Sequence, residues 1–229
     1  MHEIEIFGIQ IQIAQSIINM WYIMAALTVL ALGVNIYMKR GGFKLIPESK
    51  LQLGIEAFVE FFYDTSRSIM GEKNIGLAPY IGTIGTFLLL SNMAGLFGLR
   101  KVPTTDYSVT LGFAMTTFFV VQSNQLRAHS IKGYFKEMFE PFPFFFPLKI
   151  LEKITPILSL SLRLFGNITA GVIILELAYS ALSSISIFAM AFIPVPLHFY
   201  FDIFDAILQT AVFVILTMEF TANATAVAD

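Results

Sequence analysis

Hydrophobic positions along this chain come in long blocks, and the polar residues gather between them. Residues 17–38, 80–99, 109–126, 148–180 and 197–222 are each close to or above the roughly 20 mostly apolar residues that carry a helix across a bilayer. The stretch 47–69 has a different pattern. Leu51, Ile55, Phe58, Val59 and Phe62 recur at helical spacing, while Glu56, Glu60, Asp64 and Arg67 fill the other positions. That pattern predicts an amphipathic helix lying on the membrane surface or packed on its neighbours. Residues 1–16 read as a short polar-apolar lead. Two breaks interrupt the pattern. Residues 140–147 contain Pro141, Pro143 and Pro147, which remove helix donors and clash with the preceding turn, and residues 180–196 close on Pro194 and Pro196. The expected fold is therefore an all-α polytopic membrane protein forming one membrane domain over 1–229: a first span, a surface helix, a spanning hairpin and two long helices.

Composition strengthens this. Hydrophobic residues make up 56% of the chain and charged residues 13%, against roughly 25% charged in soluble domains. The charges also set a direction. Lys39, Arg40, Lys44 and Lys50 follow the first block, Arg127, Lys132 and Lys136 follow the third, and Lys149 and Lys153 precede the fourth. Basic residues favour the cytoplasmic side, so the N-terminus is expected outside and the C-terminus inside. Glu3 and Glu5 stand where a secretory signal would carry positive charge, so no cleavable signal is read there.

Several function classes drop out. A net charge of −2 with no long basic run excludes nucleic-acid binding. The chain has no cysteine, which removes disulfides, thiolate metal sites and thiol nucleophiles. Glycine-rich phosphate loops, paired metal-binding histidines and a Ser-His-Asp set are missing from the sequence. His2, His129 and His198 are scattered, and His198, at a helix start, reads as an interfacial residue. No cofactor, no metal site and no enzymatic activity of the chain on its own are expected.

What remains is polar chemistry inside the apolar blocks. Arg163 interrupts the fourth block, where an arginine costs about 2.5–3.5 kcal/mol on insertion scales and cannot shed its charge. Asn167, Ala170 and Ile174 share its helical stripe, and Ser159, Gly166 and Gly171 are small neighbours that let another helix come close. Glu176 falls about 140° from Arg163 around the same helix. In the last block Asp202, Asp205 and Gln209 fall within about 40° of one another on a regular helix, as one acidic stripe. The rise of 1.5 Å per residue brings Glu176 and Asp202 toward one level, as a single proton-handling pair. Asn92 reads as an interhelical hydrogen bonder. Alternatively, Arg163 is a structural cation paired with Asp202 or Glu176.

The run Leu158-Ser-Leu-Ser-Leu-Arg163-Leu-Phe-Gly-Asn167-Ile-Thr-Ala-Gly171 closely resembles the signature of subunit a of the rotary F-type ATP synthase membrane sector. The segment from Ile207 through Gln209 to Thr217 resembles that family's last helix, and Leu89-Leu-Leu-Ser-Asn92-Met-Ala-Gly95-Leu its third-helix motif. The resemblance implies two long tilted helices against a ring of c subunits, and an arginine facing the ring carboxylate. Two half-channels then couple H⁺ or Na⁺ flow to rotation. It matches Arg163, Asn167 and Gln209. It further implies b subunits of a peripheral stalk as partners beside the c-ring and the lipid bilayer, and a bacterial cell (inner) membrane as the setting. The chain departs from the family at Val172, where many members are ionisable; Glu176 is expected to take that role, and Asp202 the partner position on the last helix. A secondary transporter with an intramembrane arginine and a structural or assembly subunit are the competing readings.

Overall fold

A single helix of 38 residues, Phe146–Ser183, forms the axis of the fold and carries Arg163 near its middle. It holds Pro156 in its interior and still runs through to Ser183. The computed structural model describes residues 2–6, 9–43, 49–97, 99, 101–139, 142–183, 190 and 192–226. In chain order these give β1 (His2–Ile6), β2 (Ile9–Ile13), α1 (Gln15–Tyr37), α2 (Lys50–Met70), α3 (Ala78–Asn92), α4 (Tyr107–Phe139), α5 (Phe146–Ser183), α6 (Pro194–His198) and α7 (Ala206–Ala226). Short 3₁₀ turns at Glu72–Leu77, Met93–Phe97, Pro103–Thr105 and Pro143–Phe145 join them. A π-helical segment, Phe199–Asp205, fuses α6 to α7.

The N-terminal lead differs from the expectation. His2–Ile6 and Ile9–Ile13 pair as antiparallel strands with Ile4 opposite Ile11 and Ile6 opposite Ile9. The alternation of Ile with Glu and Gln has the period of two that suits a strand. The rest of the fold is helical, and four helical stretches are long and apolar enough to cross a membrane: Gln15–Arg40, Glu72–Phe97, Phe146–Ser183 and Pro194–Ala226. The helix containing 109–126, expected as a span, is less apolar than these four but packs along α5 and α7. α4 carries Thr116, Thr117, Gln122, Ser123, Asn124 and Gln125 along its length and continues past 126 to Phe139. Parts of both proline-rich breaks, at 140–141, 184–189 and 191, lie outside the described residues.

Packing follows from small residues. α2 starts on Ser49, whose hydroxyl accepts the Gln52 backbone N–H at 3.1 Å. It stops at Gly71, whose φ of 75° is open to glycine at little cost. Gly85 of α3 is the contact point for two neighbours: a Cβ there would sit 3.1 Å from Val214 and 3.3 Å from Phe62. α3 therefore approaches α7 and α2 closely. The main core is Ile84, Leu88, Ala114, Ile157, Leu160, Leu164, Ile168 and Phe213, drawn from α3, α4, α5 and α7. α1 stands outside this core, with most of its length exposed.

Candidate functional site: an arginine face and two polar clusters

α5 has two sharply different sides. Leu160, Ser161, Leu164, Ile168, Gly171 and Leu175 are buried against the rest of the chain. Ser159, Leu162, Arg163, Gly166, Asn167, Ala170 and Ile174 are exposed. The buried side is held close by Gly171, where a Cβ would meet Phe201 at 2.9 Å. Beside Gly166, on the open side, nothing lies within 4 Å. Arg163 makes one hydrogen bond, Nη2 to Ser159 Oγ at 3.4 Å. Among the described residues it forms no ion pair, so pairing with Asp202 or Glu176 is not realised.

The expected acidic stripe on the last helix divides in two. Asp202 and Asp205 both fall in the π-helical segment, whose i→i+5 bonding widens the turn and breaks the regular 100° step on which the stripe depended. Asp202 turns back, its Oδ2 2.5 Å from Nδ1 of His198, and its carboxylate lies 3.8 Å from where a Cβ on Gly95 would sit. Asp205 turns forward and accepts from buried Gln209 Nε2 at 3.2 Å. Glu176 is exposed on α5, with no ion pair or hydrogen bond among the described residues. The expected Glu176–Asp202 pair is thus replaced by His198 and Asp202, and His198 Nε2 in turn lies 2.9 Å from the Tyr179 hydroxyl. The sequence reading took His198 for an interfacial residue and passed over Tyr179. The signal for His198 was present: it stands four residues before Asp202, one turn along the same helix face.

Asn92 takes its expected role, donating from Nδ2 to Thr210 Oγ1 of α7 at 3.2 Å. Its Oδ1 is buried without a protein partner, as are Ser91 Oγ, Thr104 Oγ1 and Thr169 Oγ1. Buried polar atoms in native proteins are almost always paired, so a group of orphans marks places for ordered water. The same end of the bundle holds the start of α1, where Ser16 donates to Asp106 at 2.8 Å and Asn19 to the Lys101 carbonyl at 2.7 Å.

The opposite end has its own polar set. Asn74 donates to Thr225 at 2.8 Å and accepts from Asn124 at 2.7 Å, and Lys153 donates to Gln125 at 3.0 Å. A cavity of about 660 Å³ opens there between α4, α5 and α7, lined by Thr117, Gln122, Gln125, Glu152, Lys153 and Asn223 over an apolar floor. The described residues contain no cluster of three or more His, Cys, Asp or Glu able to hold a metal ion. The arrangement places polar groups at both ends and a fixed cation between them on an open face.

The family described as ATP synthase A chain matches residues 17–222. A sodium-ion-specific ATP synthase subunit a of Propionigenium modestum is 30% identical over 230 residues, covering 94% of this chain and 74% of that protein. ATP synthase subunit a of Moorella thermoacetica is 30% identical over 221 residues, covering 96% and 95% respectively. An ATP synthase subunit a 2 of Chlorobium luteolum is 32% identical over 231 residues, covering 96% and 67%. With Arg163, Asn167 and Gln209 inside the matched region, the chain belongs to the ATP synthase A chain family, as a multi-pass membrane subunit.

Proposed function

We propose that this chain is the ion-translocating stator subunit of an ATP synthase, in which Arg163 faces the carboxylates of a c-subunit ring and two offset half-channels lead to that face. The observation that carries this reading is the exposed, unpaired state of Arg163 on a face of small and apolar residues. A permanent cation is costly at mid-membrane, and an uncovered one needs a partner charge from another chain. Arg163 follows Phe146 by 17 residues and precedes Ser183 by 20, about 26 and 30 Å along the helix, so it stands near the middle of this helix.

A carboxylate brought against Arg163 is held ionised, because the guanidinium favours its charged form. Leaving for lipid, it must be neutral, so it takes up its ion from one route and releases it to the other. Arg163 also repels a cation trying to pass straight between the routes, since like charges at short range interact strongly in low dielectric. The outer route draws on Asn92, Asp202, Asp205 and Gln209, with Glu176 a separate carboxylate further out on α5. The inner route draws on the cavity at Gln125, Glu152, Lys153 and Asn223. This chain makes no covalent bond to substrate, and catalysis belongs to other subunits. Partners are the c-ring and the b subunits of a peripheral stalk, and the setting is a bacterial cell membrane with the N-terminus outside and the C-terminus cytoplasmic.

A secondary transporter would place its arginine in a substrate cavity, whereas Arg163 lines neither the cavity between α4, α5 and α7 nor a second, apolar one between α1, α2, α3 and α4. The deciding experiment is Arg163→Ala in the assembled complex. ATP-driven ion pumping should vanish while the complex still assembles. Normal coupled pumping by that variant would overturn the reading.

A further inference from the structure

The polar cavity between α4, α5 and α7 and the apolar groove between α1, α2, α3 and α4 share a wall. The groove has a volume of about 760 Å³, and no charged residue lines it. Its threonines are spent on their own helices: Thr28, Thr83, Thr86 and Thr116 each donate to the carbonyl four residues earlier, at 2.7–2.8 Å. A cavity so lined stays dry. The polar cavity, with Gln122, Gln125, Glu152 and Lys153 around it, has the groups that hold water.

α4 is the common wall. Phe113 and Thr116 line the groove, and Ala114 and Thr117 line the polar cavity. Ala114 and Thr117 are small, and Tyr80 of α3 stands against them. Tyr80 lines the groove, yet its hydroxyl lies 3.1 Å from Thr117 Oγ1, on the polar side. It also packs against both hydrophobic clusters of the bundle, the one around Ile157 and Leu160 and the one around Met70 and Met218. A tyrosine has an apolar body and a polar tip, which suits a boundary between a dry space and a wet one.

We propose that Tyr80, pinned by Thr117, is the partition that keeps the water of the inner ion route out of the apolar groove. It thereby closes a leak that would bypass Arg163. The proposal rests on the half-channel reading above, which makes the polar cavity part of the inner route. Arg163 guards only the exposed face of α5, whereas Ile157 and Leu160 of the buried face border the polar cavity. The groove follows α1 from Met20 to Ala31, which stand 5 and 16 residues after Gln15. That is about 8 to 24 Å along a helix of about 35 Å. Water admitted there from the polar cavity would carry cations across much of the span without meeting the fixed charge. The barrier on this side is steric: one ring fills the gap beside two small residues, and one hydrogen bond holds it there.

The test uses the assembled complex in proteoliposomes without nucleotide, so that coupled turnover is idle. Passive H⁺ entry is driven by a potassium diffusion potential. Single introduced cysteines report water, in a chain that has none of its own. Asn223→Cys probes the polar cavity and Thr86→Cys the groove. With Tyr80 in place, a small hydrophilic thiol reagent should modify Asn223→Cys and leave Thr86→Cys untouched, and the membrane should be tight. Tyr80→Ala should make Thr86→Cys reactive. It should also raise passive H⁺ entry about 10-fold or more, because water in the groove removes a desolvation barrier larger than that factor. Tyr80→Phe keeps the ring and loses the bond to Thr117, so passive entry should rise about 3-fold, the scale of one net hydrogen bond. That variant decides the matter if Tyr80→Ala fails to assemble, and a tight membrane there would then overturn the proposal. A tyrosine that only supports packing would lower the thermal midpoint when truncated, yet leave Thr86→Cys silent and the membrane tight. That result overturns the proposal, as does reaction of Thr86→Cys beside intact Tyr80. The two levels separate at the other probe: an unreactive Asn223→Cys sinks the inner-route reading, whereas either overturning result beside a reactive Asn223→Cys sinks only the partition.

Discussion

Asp202 is held by a histidine on its own helix and sits against a glycine on the next. Its replacement by asparagine preserves that setting, because the amide oxygen still accepts from the His198 ring and the volume hardly changes. Asp202→Asn should therefore leave the complex assembled and slow ion translocation at least about 10-fold, since an amide cannot carry a proton. Glu176→Gln should slow it less. The two should combine additively: no hydrogen bond links the carboxylates, and groups without shared partners add within roughly 0.3–0.5 kcal/mol. Pumping rates of the two single variants and the double variant check this. A double variant no slower than Asp202→Asn alone would show that the carboxylates act as one pair after all.

At the scale of elements, much of the molecule was legible. Hydrophobic block length and period mark α1, α2, α3, α5 and the last helix, because burial and membrane solvation both act through that pattern. The open face of α5 was legible from its small residues. Three features were not. The strand pair β1–β2 was missed although its period of two was on view in the alternation of Ile with Glu and Gln. The π-helical segment was hidden, because no residue at 199–205 announces a widened turn. A wheel drawn at 100° per residue then merged Asp202 and Asp205 into one stripe. His198 was read as interfacial from its place at a helix start, whereas its partners are a carboxylate and a phenol. The two glycines of α5 test the two-sided helix. Gly171→Ala forces a Cβ to within 2.9 Å of Phe201, and should destabilise by about 1–3 kcal/mol, as overpacking does. Its thermal midpoint should drop against the wild type. Gly166→Ala meets nothing in this chain, so any effect it has must arise at the partner surface. Cysteines placed at Asn167 or Ile174 should cross-link to the outer helix of a c subunit under oxidising conditions. Cross-links formed only within the chain would mean that another part of this subunit covers that face.

At the scale of the whole molecule, two polar ends and a cation between them need a fixed direction in the membrane to couple an ion gradient to rotation. On the proposed orientation, the outer end combines the start of α1, the α3–α4 connection and the Tyr179–His198–Asp202 string, and the inner end combines the α2–α3 connection, the start of α5 and the end of α7. Basic residues bias this direction, because short cytoplasmic segments retain lysine and arginine. Lys101, exposed beside Asn19, belongs to the outer end on this assignment, and Glu152, exposed at the mouth of the Lys153 cavity, belongs to the inner end. The chain has no cysteine of its own, so each position can be probed by a single introduced thiol against a silent background. Lys101→Cys should react with a membrane-impermeant maleimide added to right-side-out spheroplasts. Glu152→Cys should stay unlabelled there and react in inverted vesicles. Both sites lie outside the apolar core, so neither substitution disturbs packing enough to confuse the readout. The reversed labelling pattern would turn the molecule over, and with it the roles given to the two ends: the Tyr179–His198–Asp202 string would then face the cytoplasm, and the cavity at Lys153 would become the outer entrance.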